Sequence, residues 1–143
     1  MNGLISLIFG MTPTHDIASW IPQRPPFVFI DTIVDADKTF ALTQFTITAS
    51  CPLVEGGSLS LAGLMENAAQ TCAVRAGVCG GNKIGFIGAV KQMKAVRLPQ
   101  TGETLTTRAV VLQEVLNISL IDCRISIGEE IIATAVLKLA IVE

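Results

Sequence analysis

The chain has 143 residues, enough for one domain whose core needs neither disulfide nor metal as a staple. Half of the residues are hydrophobic, only 15% are charged and mean hydropathy is +0.59, so a subunit that buries part of its surface against another is expected. A net charge of −2 and the absence of Tyr exclude a nucleic-acid binder, which needs concentrated Lys and Arg and stacking aromatics.

Residues 1–13 read as an N-terminal extension ahead of a single domain over 14–143. Residues 2–10 are apolar, yet no Lys or Arg precedes them, they are too short to span a bilayer, and no small-residue cleavage site follows. A cytoplasmic protein without membrane contact is the expectation, and Met11 is a second candidate start. Cys51, Cys72, Cys79 and Cys123 form no CxxC pair and His15 is the sole imidazole. Reduced core thiols are therefore expected, with neither metal nor cofactor.

Residues 14–21 form a short capped turn, stopped by Pro22 and the step Arg24-Pro25-Pro26. Two β-branched and aromatic segments, 27–34 and 39–48, make a hairpin about the polar turn 35–38. Residues 59–78 contain no Pro and give the only long helix, entered through Gly56-Gly57-Ser58 as glycine-rich lead and N-cap, and closed by Gly80-Gly81. Four strands follow at 83–98, 103–116, 118–127 and 130–142. In the third, Ile121, Cys123, Ile125 and Ile127 alternate with Asp122, Arg124 and Ser126, the period of a sheet with one buried face. Two strands, one helix and four strands make an α+β order, with an antiparallel sheet covering a single helix.

Glu66 stands out as a lone carboxylate in the apolar run 59–73. Such a group is tolerated when paired, neutralised or facing a wet cleft, and the last two suit an acid/base catalyst; a helix-flank carboxylate in water is the plain alternative. Gln70 lies one turn later on the same face, placed either to orient that carboxylate or to fill a polar gap at a dimer seam.

Three stretches carry a resemblance. Ile21-Pro22-Gln23-Arg24-Pro25-Pro26-Phe27 leading to Ile30-Asp31, then Leu64-Met65-Glu66-Asn67-Ala68-Ala69-Gln70, then 85–91 through Arg97-Leu98-Pro99-Gln100-Thr101-Gly102-Glu103, resemble in order the β-hydroxyacyl-acyl-carrier-protein dehydratases. The resemblance covers nearly everything after residue 14. It implies the hotdog fold, one long central helix wrapped by a six-stranded antiparallel sheet, working as a homodimer with acyl sites at the subunit interface. It further implies a 3-hydroxyacyl-thioester dehydratase-like protein of fatty-acid or polyketide metabolism, with an acyl thioester substrate and an acyl carrier protein as partner.

The chain departs from that family's pattern where a Gly-His-Phe-Pro-Gly stretch precedes the helix. Here Leu53-Val54-Glu55-Gly56-Gly57-Ser58 stands instead, without an imidazole, and Gln23 lies where the family has an N-terminal His. Glu66 is then expected to carry the proton traffic with its pKa raised by burial, supported by Gln70. Gly56, Gly57, Gly63, Phe86, Ile87 and Gly88 would contact substrate, the first two through backbone N–H groups at the helix start. Glu55, a second carboxylate beside the glycines, is either near that site or simply solvated. Lys91, Lys94 and Arg97 would dock the carrier, or be ordinary exposed cations. Two other functions stay open: an acyl-CoA or acyl-carrier-protein thioesterase using the same carboxylate, and a partner subunit in a heterodimer whose second chain brings the His.

Overall fold

The computed structural model of the protein describes residues 12–78 and 84–142, with side chains described at all of these except 84–87 and 142. After a 3-10 turn at Ile17–Ser19 come β1 (Thr32–Ala36), β2 (Phe40–Thr46), the short β3 (Val54–Glu55) and β4 (Ser58–Leu59), and helix α1 (Leu61–Val78). They are followed by β5 (Ile84–Ala95), β6 (Thr104–Val115), β7 (Ile118–Ile127) and β8 (Glu130–Val142). Six strands form one antiparallel sheet in the order β1-β2-β6-β7-β8-β5, while β3 and β4 pair separately. This is the α+β hotdog arrangement: one helix against a six-stranded antiparallel sheet. Among the described residues no helix is long and apolar enough to cross a membrane.

Leu64, Ala68, Cys72 and Ala76 recur every four residues on α1, so all four fall on one stripe and are fully buried. They pack into a core with Phe45, Leu105, Ala109, Ile121, Cys123, Ile125, Leu137 and Leu139, the inward set of alternating strand residues. Burying a Leu or Ile of this kind stabilises by about 1.5–3 kcal/mol. Small residues at three of the four stripe positions let the helix lie close to the sheet. Cys72 Sγ and Cys123 Sγ accordingly come within 3.6 Å across the seam. The hydrogen bond to Cys123 and complete burial push the Cys72 thiol well above its ordinary 9.0.

A smaller core of Ile17, Ile21, Ile30, Ile33, Ala41 and Val74 lies at the β1 side, where the N-terminal turn folds back on the helix. Polar side chains also cross the helix–sheet seam, each with a partner: Thr43 Oγ1 to Thr71 Oγ1 at 2.8 Å, and Thr107 Oγ1 donating to Asn67 Oδ1 at 2.6 Å. Buried hydroxyl and amide groups are tolerated on these terms.

Two expected boundaries shift. The first strand begins at Thr32 rather than at residue 27, and the lead to the helix is a tight hairpin, β3–β4, rather than an open entry. Gly56 and Gly57 occupy its two turn positions at φ +60° and +80°, a left-handed pair that glycine adopts without steric cost. The expected helix stop at Gly80-Gly81, the start of the strand at Lys83, the thiol of Cys79 and most of the 1–13 extension lie outside the described residues.

Candidate functional site

The N-terminal half of α1 meets the irregular segment 27–30, and side chains of the helix hold the two together. Ser60 is the cap, its Oγ accepting Gly63 N–H at 3.3 Å and its carbonyl accepting Leu64 N–H at 3.1 Å. The cap is Ser60 and not Ser58, because Ser58 is paired with Glu55 inside the hairpin. Gly63 is buried, and a Cβ there would overlap the Leu59 side chain, so a glycine lets the first helical turn rest on β4.

Three residues further, Glu66 is half-buried. Its Oε1 accepts a hydrogen bond from Gln70 Nε2 at 3.0 Å. Gln70 is fully buried and fixed by the backbone on both sides, Nε2 also donating to the Phe27 carbonyl at 2.9 Å and Oε1 accepting Phe29 N–H at 2.7 Å. Asn67 Nδ2 donates to the Phe29 carbonyl at 2.8 Å. Helix amides thus serve Phe29 as a neighbouring strand would, so its backbone groups are satisfied although residues 27–30 do not join the sheet.

Glu66 shares a helix face that the other described residues leave partly open: Leu61 and Ala62 are exposed, Met65 and Ala69 half-buried. Phe27, 51% exposed, flanks it. The arrangement gives a carboxylate one oxygen anchored by an immobile neutral donor, with Oε2 making no hydrogen bond among the described residues. That is the geometry of a group able to exchange a proton with something laid along the helix.

Gly56 and Gly57 are exposed at the hairpin tip, where the Gly57 carbonyl accepts Thr101 N–H at 2.9 Å, with β4 between them and the helix. Their N–H groups therefore do not extend the helix start. Glu55 is exposed on β3. Gly88 sits at a bulge of β5, its backbone beside the Lys138 carbonyl. Phe86 and Ile87 belong to the same strand, and their side chains lie outside the described residues. Lys91 and Lys94 are exposed on β5, whereas Arg97 is held by Glu103 at 2.9 Å and Glu130 at 3.2 Å.

His15 is held at the start of β1, with Nδ1 3.2 Å from the Asp31 carbonyl and 3.1 Å from Thr32 Oγ1. Gln23 Oε1 is buried and has no hydrogen-bond partner among the described residues. A cavity of about 260 Å³ opens between Pro26, Val28, Asp31, Phe45 and Cys51, and Glu66 does not line it. Burial, with the nearby Asp31 charge adding to it, raises the Cys51 thiol in its wall. No group of three or more His, Cys, Asp or Glu suited to a metal ion occurs among the described residues.

Two structural residues escaped the sequence reading. Asn67 was legible only as a second amide three positions before Gln70 in an apolar run. Arg75, 1% exposed near the helix end, donates to the Lys38 carbonyl at 2.8 Å and to Glu114 at 2.6 Å. Its signal was a lone cation among small apolar residues.

Comparison with known proteins matches residues 15–142 to a family model described as ApeP-like, ApeP dehydratase. A 3-hydroxyacyl-[acyl-carrier-protein] dehydratase FabZ of Rickettsia africae is 28% identical over 137 residues, covering 86% of this chain and 94% of that protein. Among solved structures, the dehydratase heterocomplex ApeI:P from Xenorhabdus doucetiae superposes with a TM-score of 0.80 at 16% identity, covering 89% of this chain and 91% of that one. The E. coli PaaI protein from the phenylacetic acid degradation operon gives 0.67 at 23% identity, over 76% and 80%. These two structural likenesses establish the fold.

Proposed function

The chain belongs to the ApeP-like dehydratase family, and on that premise we propose that it is a dehydratase-like protein acting on 3-hydroxyacyl thioesters carried by an acyl carrier protein, with Glu66 as its acid/base group. The observation that supports the reading is the Gln70–Glu66 contact, which fixes one carboxylate oxygen on a helix face that the other described residues leave partly open. In the reaction Glu66 takes the proton from the carbon next to the thioester carbonyl. The bond between the third carbon and its oxygen breaks, the departing hydroxyl receives a proton, and water and the 2,3-unsaturated thioester result. One carboxylate can pass the same proton from carbon to oxygen if both lie within hydrogen-bond reach.

We assign the exposed Lys91 and Lys94 to the carrier's acidic surface, since Arg97 is already neutralised by two carboxylates. Gly88 and the glycine hairpin at Gly56 and Gly57 border the substrate in this proposal. Assembly as a homodimer is supported by β5, a 12-residue strand at the sheet edge whose outer side has no strand partner among the described residues and can template pairing with a second copy. We place the protein in the cytoplasm.

A second reading has its own observation. The chain's one histidine, His15, is engaged with Asp31 and Thr32 and makes no hydrogen bond to Glu66. A partner subunit that contributes an imidazole would then complete the site. Incubating the purified chain with 3-hydroxyacyl-carrier substrates, alone and mixed with a His-bearing homologue, separates the two. Turnover by the chain alone that is lost in Glu66→Gln supports the first, and turnover only in the mixture supports the second. Release of free thiol without water loss would mark hydrolysis and reject both.

A further inference from the structure

On the face of the sheet away from α1, a hollow of about 180 Å³ is lined by Lys91, Gln113, Val115, Ile118, Leu120 and Lys138. Its origin is a β-bulge in β6. Val111 pairs with Ile121 and Gln113 with Leu120, so Leu112 is an extra residue that reverses the alternation beyond it. Glu114 is thereby turned inward to meet Arg75, and Gln113 and Val115 are turned outward. Leu120 and Lys138 share that outer face, alternating with the buried Ile121, Leu137 and Leu139.

Lys138 pairs with Ala89 and Lys91 with Val136, which makes the two ammonium groups diagonal neighbours on one face. At that spacing the two ammonium groups repel each other, and an anion seated between them would relieve the repulsion. Neither has a carboxylate partner among the described residues: Asp122 is bonded to Arg124 at 3.2 Å and Glu114 faces Arg75. The floor beside them is apolar and open, with Val115 56% and Ile118 40% exposed. Two cations on β8 and β5 without a carboxylate partner among the described residues, beside the apolar Leu120, Ile118 and Val115 of β7 and β6, match a ligand with an anionic head and an apolar tail.

We propose that this hollow binds a carboxylate-headed amphiphile, the head between Lys91 and Lys138 and a short acyl chain running over Leu120 toward Ile118 and Val115. The site stands apart from Glu66 and does not depend on the reaction proposed above, although it shares Lys91 with the cations assigned to the carrier.

Titrating octanoate into the full chain, isotopically labelled for NMR, tests this at low salt. Saturating shifts centred on Leu120, Ile118 and Lys138 at about millimolar ligand or below are expected, as a ligand of this size allows. The double variant Lys91→Ala/Lys138→Ala should weaken binding at least about tenfold, with an unchanged circular dichroism melt. Ile118→Ser, which leaves both cations in place, should weaken it too, and Glu66→Gln should not. Octanol binding as well as octanoate would reduce the hollow to an apolar groove, and acetate binding as well would reduce it to a charge patch; either overturns the proposal. So would octanoate shifts confined to the Glu66 face of α1, an unaffected double variant, or a silent hollow because a second copy covers it.

Discussion

Gln70 donates to Glu66 Oε1 at 3.0 Å with the same nitrogen that donates to the Phe27 carbonyl at 2.9 Å, so one amide fixes both the proposed acid/base group and the strand-like segment beside it. Its carbonyl oxygen also satisfies the buried Phe29 N–H. Gln70→Ala should leave that donor unpaired in the core and lower stability by about 1–3 kcal/mol. Urea unfolding checks it as a lower midpoint at constant slope. Activity should fall further than the loss of folded protein explains, because Glu66 loses its anchor.

Glu66→Gln separates chemistry from packing. The replacement keeps the shape and an acceptor for Gln70 Nε2, so stability should change by only about 0.5 kcal/mol, as at other partly exposed positions. A positioned general acid or base contributes about 10²- to 10⁴-fold, and dehydration rates should drop by that order. Rates on 3-hydroxyacyl-carrier substrate at matched folded concentration measure it, and a variant with undiminished turnover removes Glu66 from the mechanism.

Most of the architecture was legible because its signals are local and periodic. The alternation through Ile121, Cys123 and Ile125 marked the buried face of β7, and the apolar run after residue 59 marked α1. Glu66 was legible for the same reason, as the acidic exception in that run. What escaped depends on contacts between distant residues. Phe29 has the composition of a strand residue, yet it lies outside the sheet, where Asn67 and Gln70, about forty positions away, supply its hydrogen bonds. The glycines before the helix are as consistent with a loose lead as with a hairpin tip, and the pairing of Val54 with Leu59 and of Glu55 with Ser58 decides between them. Nothing in β6 announced that a bulge at Leu112 would turn Glu114 toward Arg75.

Arg75 is the costliest side chain to bury in this core, and its three partners lie on three separate elements: the Lys38 carbonyl, Ser119 Oγ at 3.3 Å and Glu114 at 2.6 Å. Breaking a fully buried ion pair by removing one partner costs about 3–5 kcal/mol. Glu114 is 45% exposed, so water can partly replace it, and Glu114→Ala should cost about 1–3 kcal/mol. Arg75→Met removes the buried charge itself and fills the same space, so it should destabilise less than Glu114→Ala despite the larger chemical change. Thermal melts of the two variants give the ranking; the opposite order would mean that the Lys38 and Ser119 bonds, rather than compensation of charge, dominate.

Acid should weaken the turn before β6 in a way one substitution can isolate. Glu103 accepts both Arg97 guanidinium nitrogens, at 2.9 and 3.1 Å, and Gln100 N–H at 2.8 Å. These bonds, the one from Arg97 foremost, favour the charged form and lower its pKa from 4.5 to about 2. A carboxylate more acidic in the folded than in the unfolded chain stabilises fully above the unfolded value, and that contribution is lost as pH falls through the folded one. The melting temperature of the native chain should therefore exceed that of Glu103→Gln above pH 4.5, with the difference closing toward pH 2. Because the pair is at the surface, added salt should shrink the difference at neutral pH as well. A gap that stays constant across the acid range would show that the carboxylate acts through hydrogen-bond geometry alone, not through its charge.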